Sequence, residues 1–189
     1  MPFRILTVCT GNICRSPAMG LLLAHEFAGD GRFAVASAGT HAEVGWPVHP
    51  PMDRMLEARG IDVDGFSARQ ADRHILAGSD LVLTATQQHR AWVAEHDPRT
   101  VRRVFTLSEF ADATTNAPSG LDPAELVAWG ASHRPGVRVR SLGPATRRGY
   151  DEHDILDPYG RGDAAFTAAL QQIDPLVQRV ASTLRRCAA

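Results

Sequence analysis

Hydrophobic residues along this chain occur in two alternating patterns: short continuous runs, and longer segments with apolar residues three or four positions apart. A continuous apolar run bounded by turn residues is typical of a strand buried on both faces, whereas the longer spacing is typical of a helix. The continuous runs predict four strands, at 3–8, 33–37, 80–84 and 101–105.

The segments that separate these strands have helical character. A helix is predicted over 17–27, where Pro17 suits the first turn and Ser16 is the natural N-cap. Three more helices are predicted at 50–59, 87–95 and 163–186. Pro175 lies inside the last of them, so we expect a kink or a division there.

The alternation of strands and helices predicts an α/β fold, a small four-stranded parallel sheet with helices on both faces. The 189 residues suffice for one domain spanning 1–189. Gly, Pro, Ser, Thr and Arg accumulate at 111–150, which predicts an inserted, partly mobile loop with a short helix at 123–132. Ligands of such sheets bind at the carboxyl ends of the strands.

Charge and cysteine content narrow the function further. Lys and Arg number 20 against 21 for Asp and Glu, so the chain lacks the basic surplus that favours nucleic acid or an anionic membrane as a partner. No apolar stretch reaches the roughly 18 residues that would span a bilayer. Two of the three cysteines stand close together, as expected of reduced thiols in a cytoplasmic protein. The oligomeric state does not follow from these features.

The segment after the first predicted strand combines the groups that a phosphate site needs. It reads Cys9-Thr10-Gly11-Asn12-Ile13-Cys14-Arg15-Ser16-Pro17. Glycine and asparagine tolerate backbone conformations in which successive N–H groups point inward, and the start of a helix adds partial positive charge. Residues 10–16 are therefore predicted to cradle a phosphoryl group.

Three side chains of this segment have expected chemical roles. The helix start and the nearby arginine favour a thiolate at Cys9, which would then be a nucleophile. Arg15 offers a planar fork of donors for two phosphoryl oxygens. Ser16 is placed to donate a hydrogen bond to the thiolate.

Two other interpretations of the cysteines have less support. A buried structural cysteine before an ordinary strand-to-helix turn would not require the glycine, asparagine and arginine that accompany Cys9. A zinc site would need a second pair of ligands at a usual spacing, which Cys9 and Cys14 lack. We therefore expect neither a metal nor a cofactor.

Residues 8–17 resemble the signature of low-molecular-weight protein tyrosine phosphatases, C-x5-R-[ST], in its fuller form V-C-x-G-N-x-C-R-S-P. Further similarities occur at 37–40 (Ser-Ala-Gly-Thr), 67–70 (Ser-Ala-Arg-Gln), Asp80 and 157–159 (Asp-Pro-Tyr), leaving only 111–150 outside the resemblance. The resemblance implies hydrolysis of phosphotyrosine in a phosphorylated protein through a thiophosphate on Cys9.

The resemblance also implies a general acid and a pocket rim. The family takes its acid from an Asp-Pro-aromatic turn, and Asp157 begins the only such turn here, with Asp154 as the alternative acid. Tyr159 would then stand at the rim, where its ring can stack on phosphotyrosine. Trp46 is a second candidate for the rim, together with His49.

The remaining family features concern the support and protection of the nucleophile. Ser37 matches a serine that holds the loop asparagine, here Asn12, whereas Phe66 occupies the position of a supporting histidine. The supporting network is therefore expected to differ. The resemblance also implies a reversible disulfide between Cys9 and Cys14, with Cys14 as the redox partner.

Three alternative functions share this loop. Protein arginine phosphatases resemble the chain closely but carry threonine at the position of Ile13, where tyrosine phosphatases usually have isoleucine. Arsenate reductases of this type need two further cysteines near the third strand, and residues 78–95 contain none. An inactive phosphate-binding module would lack the nucleophile or the acid. The sequence favours the tyrosine phosphatase and leaves the arginine phosphatase as its alternative.

Overall fold

The computed structural model of the chain describes residues 1–134 and 153–187. Within them, four parallel strands form one sheet in the order β2-β1-β3-β4. The strands are β1 (Phe3–Cys9), β2 (Phe33–Gly39), β3 (Leu81–Thr84) and β4 (Val104–Thr106). The predicted α/β class and parallel sheet are confirmed.

Seven α-helices surround the sheet in the described part of the chain. They are α1 (Arg15–Glu26), α2 (Met52–Glu57), α3 (Arg73–Ala77), α4 (Gln87–His96), α5 (Leu107–Ala113), α6 (Pro123–Ser132) and α7 (Asp163–Arg185). The sequence pattern did not predict α3 or α5. A strand starting at 101 was also wrong, because Val101 is half exposed in a turn and β4 begins at Val104.

Alternate residues of the strands face two separate cores. Ile5 of β1 packs into the larger core, which includes Met19 of α1 and Ile173 of α7. Its neighbour Leu6 packs into the smaller core, with Val93 of α4. Helices therefore cover both faces of the sheet, as predicted.

The strand order places a ligand crevice beside β1. The chain leaves β1 toward β2 on one side, whereas β3 pairs with β1 on the other. Connections diverge at such a reversal, and the carboxyl ends of the strands there leave an opening for ligands. The loop that follows Cys9 starts at this point.

The segment 111–150 is only partly a loop. Residues 111–113 belong to α5, and α6 forms as predicted, with a capping box between Asp122 and Glu125. Residues 114–122 between the two helices are turns and irregular chain, and the part of the predicted insertion at 135–150 lies outside the described residues.

The last helix, α7, continues through Pro175 without dividing. Apolar residues at helical spacing bury one side of it along its whole length, which opposes a break at the proline. No helix of residues 1–134 or 153–187 is long and apolar enough to cross a bilayer.

Candidate active site

The loop between β1 and α1 presents its backbone to a pocket. Asn12 has a φ of +55°, in the left-handed region that asparagine tolerates better than most residues. Helix α1 begins at Arg15 with Cys14 as N-cap, no described side chain caps it, and its first turn carries no acidic residue. The free N–H groups and the helix dipole therefore favour an anion at this end of α1.

Ser16 is not the N-cap, contrary to the sequence prediction. Its hydroxyl oxygen lies 3.0 Å from Cys9 Sγ and accepts a hydrogen bond of 2.9 Å from Asn12 Nδ2. The Ala38 carbonyl, at 3.3 Å, is the other possible acceptor for its proton. The Ser16 hydroxyl therefore contacts the Cys9 thiol and does not cap the start of the helix.

The segment after β2 forms the outer wall of the loop. Thr40 N–H donates to the Cys9 carbonyl at 2.9 Å, and Glu43 N–H donates to the Gly11 carbonyl at 2.9 Å. The approach requires a glycine at position 39, because a Cβ there would lie 2.3 Å from the Thr10 carbonyl oxygen. These contacts fix the loop against its neighbour.

Asn12 is fully buried and connects three parts of the chain. Its Nδ2 donates to Ser16 and, at 2.9 Å, to Ser37 Oγ, and its Oδ1 accepts from Arg69 N–H at 2.9 Å. The half-buried Phe66 packs against the larger core. The backbone of Arg69 thus completes the polar contacts of Asn12 in a chain that has phenylalanine at position 66.

Asp157 reaches the loop from the distant end of the sequence. Ile155 N–H donates to the Ala85 carbonyl at 2.8 Å, which fixes this segment at the end of β3. Arg15 donates to the Ile155 carbonyl and lies 2.9 Å from the Asp157 carboxylate. Asp154 has a different position, since its carboxylate accepts from Gln87 N–H at the start of α4.

These elements enclose one pocket, called here the Cys9 pocket. Its lining residues are Cys9, Thr10, Gly11, Ile13, Cys14, Arg15, His41, Glu43, Asp157 and Tyr159. The structure thus brings together most of the predicted site residues. Asn12 and Ser16 are buried and support the pocket without lining it. Trp46 is 57% exposed and does not line it, whereas His49 packs its ring against Tyr159 and Phe166.

Thr10 is held from the side by a buried histidine. His89 is 6% exposed, and its Nε2 lies 2.9 Å from Thr10 Oγ1 while its Nδ1 lies 2.8 Å from Thr86 Oγ1. Burial lowers the pKa of His89 to about 3, with a further contribution from the positive charge of Arg15. His89 is therefore neutral near pH 7.

Cys14 differs from an ordinary thiol. Burial raises its pKa to about 12, and the adjacent Cys9 and Asp157 add to this effect. Cys14 therefore remains protonated at neutral pH.

Among the described residues, no group of three or more His, Cys, Asp or Glu side chains could hold a metal ion.

Motif analysis missed three residues of this site. His41 and Glu43 lie just after the Ser-Ala-Gly-Thr segment, at the end of the strand that pairs with β1. His89 lies in the first turn of α4, after β3. Because parallel strands end at one edge of a sheet, polar residues that follow each predicted strand were a signal for all three.

Comparison with known proteins identifies the fold and the family. The family model for low molecular weight phosphotyrosine protein phosphatase matches residues 4–127, which includes the loop and stops before Asp157. A protein-arginine-phosphatase of Geobacillus stearothermophilus is 27% identical over 98% of each chain. The low molecular weight protein-tyrosine-phosphatase Wzb of Escherichia coli is 35% identical over 56% of this chain and 70% of its own.

Solved structures extend the similarity over almost the whole chain. The YwlE arginine phosphatase from Geobacillus stearothermophilus superimposes with a TM-score of 0.71 at 26% identity, covering 97% of this chain and 94% of its own. Vibrio vulnificus Wzb, in complex with benzylphosphonate, shares the fold with a TM-score of 0.68 at 22% identity, over 96% and 99% of the two chains. The chain belongs to the low molecular weight phosphotyrosine protein phosphatase family.

Proposed function

We propose that this chain is a protein tyrosine phosphatase in which Cys9 is the nucleophile, Arg15 binds the phosphoryl group and Asp157 is the general acid and base. The observation that carries the proposal is the convergence of these three side chains in the Cys9 pocket. They come from the end of β1, the start of α1 and the loop before α7, and the Arg15 guanidinium lies 2.9 Å from the Asp157 carboxylate.

The first step is transfer of the phosphoryl group to the enzyme. The Cys9 thiolate attacks phosphorus, so that an S–P bond forms while the P–O bond to the tyrosine oxygen breaks. The Asp157 carboxylic acid gives its proton to the departing oxygen, which leaves as a phenol. Arg15 and the loop N–H groups stabilise the charge on the transferred oxygens.

The second step releases inorganic phosphate. The Asp157 carboxylate removes a proton from water, the water oxygen attacks phosphorus, and the S–P bond breaks to return the thiolate. Asn12 donates to Ser16 Oγ, which leaves the Ser16 proton available to stabilise the leaving thiolate at 3.0 Å. Thr10 through Ser16 together form the proposed phosphate-binding loop.

Two features support an aryl phosphate as the substrate. Ile13 places an apolar side chain in the pocket lining, where a guanidinium would be poorly solvated. Tyr159 lines the mouth and is held there by an edge-on contact with His49, at a centroid distance of 5.3 Å. Its exposed ring can stack on the ring of phosphotyrosine.

Protein arginine phosphatase is the second candidate, and one observation favours it. Glu43 lines the Cys9 pocket, and its Cγ lies 3.7 Å from the position that a Cβ on Gly11 would take. A carboxylate at the mouth would attract the cationic guanidinium of phosphoarginine. The arginine phosphatase similar to this chain over its full length adds weight to this candidate.

The deciding experiment compares hydrolysis of phosphotyrosine, phosphoserine and phosphoarginine by the wild type, Cys9→Ser and Cys187→Ser. Cys187 is a buried cysteine outside the Cys9 pocket, so Cys187→Ser controls for the loss of a thiol. Cys9-dependent release from phosphotyrosine supports the main proposal. Dominant release from phosphoarginine that Glu43→Gln abolishes would support the second candidate, and no release from any substrate would contradict both.

The proposal extends to partners and location. A pocket of this type takes a phosphorylated side chain of a protein, and we propose no nucleic-acid or membrane partner for a chain with a net charge of −1. The three described cysteines are free thiols, and a thiolate nucleophile persists in a reducing cytoplasm. We therefore propose a cytoplasmic phosphatase.

A further inference from the structure

The contact between His89 and Thr10 joins α4 to the phosphate-binding loop through a buried, neutral side chain. His89 has a threonine hydroxyl at each ring nitrogen, Thr10 at 2.9 Å and Thr86 at 2.8 Å. Thr10 lines the Cys9 pocket, whereas His89 does not. Through this hydrogen bond to Thr10, His89 could thus influence a bound phosphoryl group.

The direction of the two hydrogen bonds decides what Thr10 can do. Thr86 Oγ1 already accepts the backbone N–H of His89 as the N-cap of α4, and its own proton can go to His89 Nδ1. Nε2 then carries the ring proton and donates it to Thr10 Oγ1. In the opposite arrangement the Thr10 hydroxyl donates its only proton to Nε2, so it cannot donate a hydrogen bond into the pocket.

A phosphoryl dianion in the pocket favours the first arrangement, because it attracts the Thr10 proton toward its oxygens. We propose that His89 is a positioning residue that, as the Nε2–H tautomer, keeps the Thr10 hydroxyl free to donate a hydrogen bond to a phosphoryl oxygen. This inference rests on the proposed phosphatase function. In this arrangement Thr86 donates a hydrogen bond to His89, His89 donates to Thr10, and Thr10 donates to the phosphate. The imidazole carries no charge.

The low pKa of His89 agrees with this assignment. A protonated imidazole would donate from both nitrogens and would need a carboxylate or another negatively charged group beside it. The two ring nitrogens of His89 instead contact neutral hydroxyl groups. Arg15 and His41 face it and disfavour a positive charge, in addition to the larger effect of burial. The neutral ring leaves a choice of tautomer, which the phosphate would settle.

The test is a double-mutant cycle on kcat/KM and on inhibition by inorganic phosphate. Thr10→Val and His89→Leu should each reduce kcat/KM and phosphate affinity about three- to ten-fold, the value of one hydrogen bond. The double variant should lose little more than either single one, because both remove the same donor. Additive losses, or wild-type values for His89→Leu, would overturn the proposal.

Two further variants separate positioning from folding. His89→Gln keeps an amide donor near Thr10 and should recover most of the activity that His89→Leu loses, and failure to recover it counts against the donor role. His96→Leu removes an exposed histidine of the same helix and should match the wild type. Thermal unfolding of each variant shows whether a loss comes from destabilisation.

Nitrogen NMR of the wild type gives a readout that does not depend on turnover. With saturating inorganic phosphate, the long-range ¹H–¹⁵N spectrum should show His89 as the Nε2–H tautomer. An Nδ1–H tautomer would refute the relay even in an active phosphatase. Absence of any phosphatase activity would refute the proposed function, and the spectrum would still decide the tautomer.

Discussion

The Arg15 guanidinium lies 2.9 Å from the Asp157 carboxylate, which joins the start of α1 to the loop before α7. The Arg15 side chain is 5% exposed and that of Asp157 is 40% exposed. A pair with one partner this open to water stabilises the fold little, by about 0–1 kcal/mol. Its importance is positional, because it holds the proposed acid beside the group that would bind phosphate.

Replacement of Asp157 by asparagine should reduce kcat about 10²- to 10⁴-fold, the usual contribution of a general acid. The loss should be larger for phenyl phosphate than for 4-nitrophenyl phosphate, because the better leaving group needs less protonation. Steady-state kinetics with both esters measures it. If Asp154→Asn showed this loss of kcat with both esters and Asp157→Asn kept the wild-type kcat, the general acid would be Asp154.

The loop and the proposed acid could be located in the sequence because their residues lie in short, contiguous segments. Cys9, Arg15 and Asp157 were found in this way, and the structure brings them together in one pocket. The same contiguity misled at Ser16, since a serine before a proline is typical of an N-cap until a thiol competes for its hydroxyl. That competition is a tertiary contact, which local propensity cannot show.

Residues that reach the site from other elements were beyond a motif search. Glu43 lines the pocket because its backbone pairs with Gly11, and His89 contacts Thr10 because β3 lies next to β1. Trp46 was predicted for the rim on its residue type, yet its indole is exposed and away from the pocket lining. Strand order was the missing information for Glu43 and His89.

Asn12 should show separate backbone and side-chain effects. Asn12→Gly removes the amide contacts to Ser16, Ser37 and Arg69, and we expect a loss of about 1–3 kcal/mol in the free energy of unfolding. Asn12→Ala should lose roughly a further 1–2 kcal/mol, because alanine is strained at a φ of +55°. Urea unfolding measures both, and both variants should be poor enzymes. Equal stabilities would show that strain at this position is negligible.

Tyr159 should affect substrate binding more than chemistry. Tyr159→Ala should raise KM for aryl phosphates about two- to ten-fold, the value of one aromatic stacking contact, with a smaller change in kcat. Tyr159→Phe keeps the ring and serves as the control, which should retain the wild-type KM. An unchanged KM in the alanine variant would remove Tyr159 from the proposed rim.

Cys14 should protect Cys9 from irreversible oxidation. Peroxide converts the Cys9 thiolate to a sulfenic acid, and attack by Cys14 forms a disulfide and releases water. Loss of the Cys9 charge also removes one cause of the raised Cys14 pKa, which favours that attack. Wild type and Cys187→Ser should regain activity with dithiothreitol, and Cys14→Ser should not. Full recovery of Cys14→Ser would refute the redox role.

His89 should make the protein less stable in mild acid. Its pKa is about 3 in the folded chain and 6.5 when unfolded, so between these values the unfolded state binds a proton that the native state does not. The contribution of the neutral His89 ring to the free energy of unfolding is therefore fully present above pH 6.5. It declines as the pH falls toward 3, by up to about 1.4 kcal/mol per pH unit.

The measurement is urea unfolding across this pH range for wild type and His89→Gln, which has no proton to bind at that position. The difference between the two curves cancels the contribution of the carboxylates that both proteins share. The free energy of unfolding of the wild type should decline more steeply as the pH falls. His96→Gln, which replaces an exposed histidine of the same helix, should follow the wild-type curve. Parallel curves for wild type and His89→Gln would mean that the buried imidazole accepts its proton as readily as in the unfolded chain, which would contradict the lowered pKa of His89.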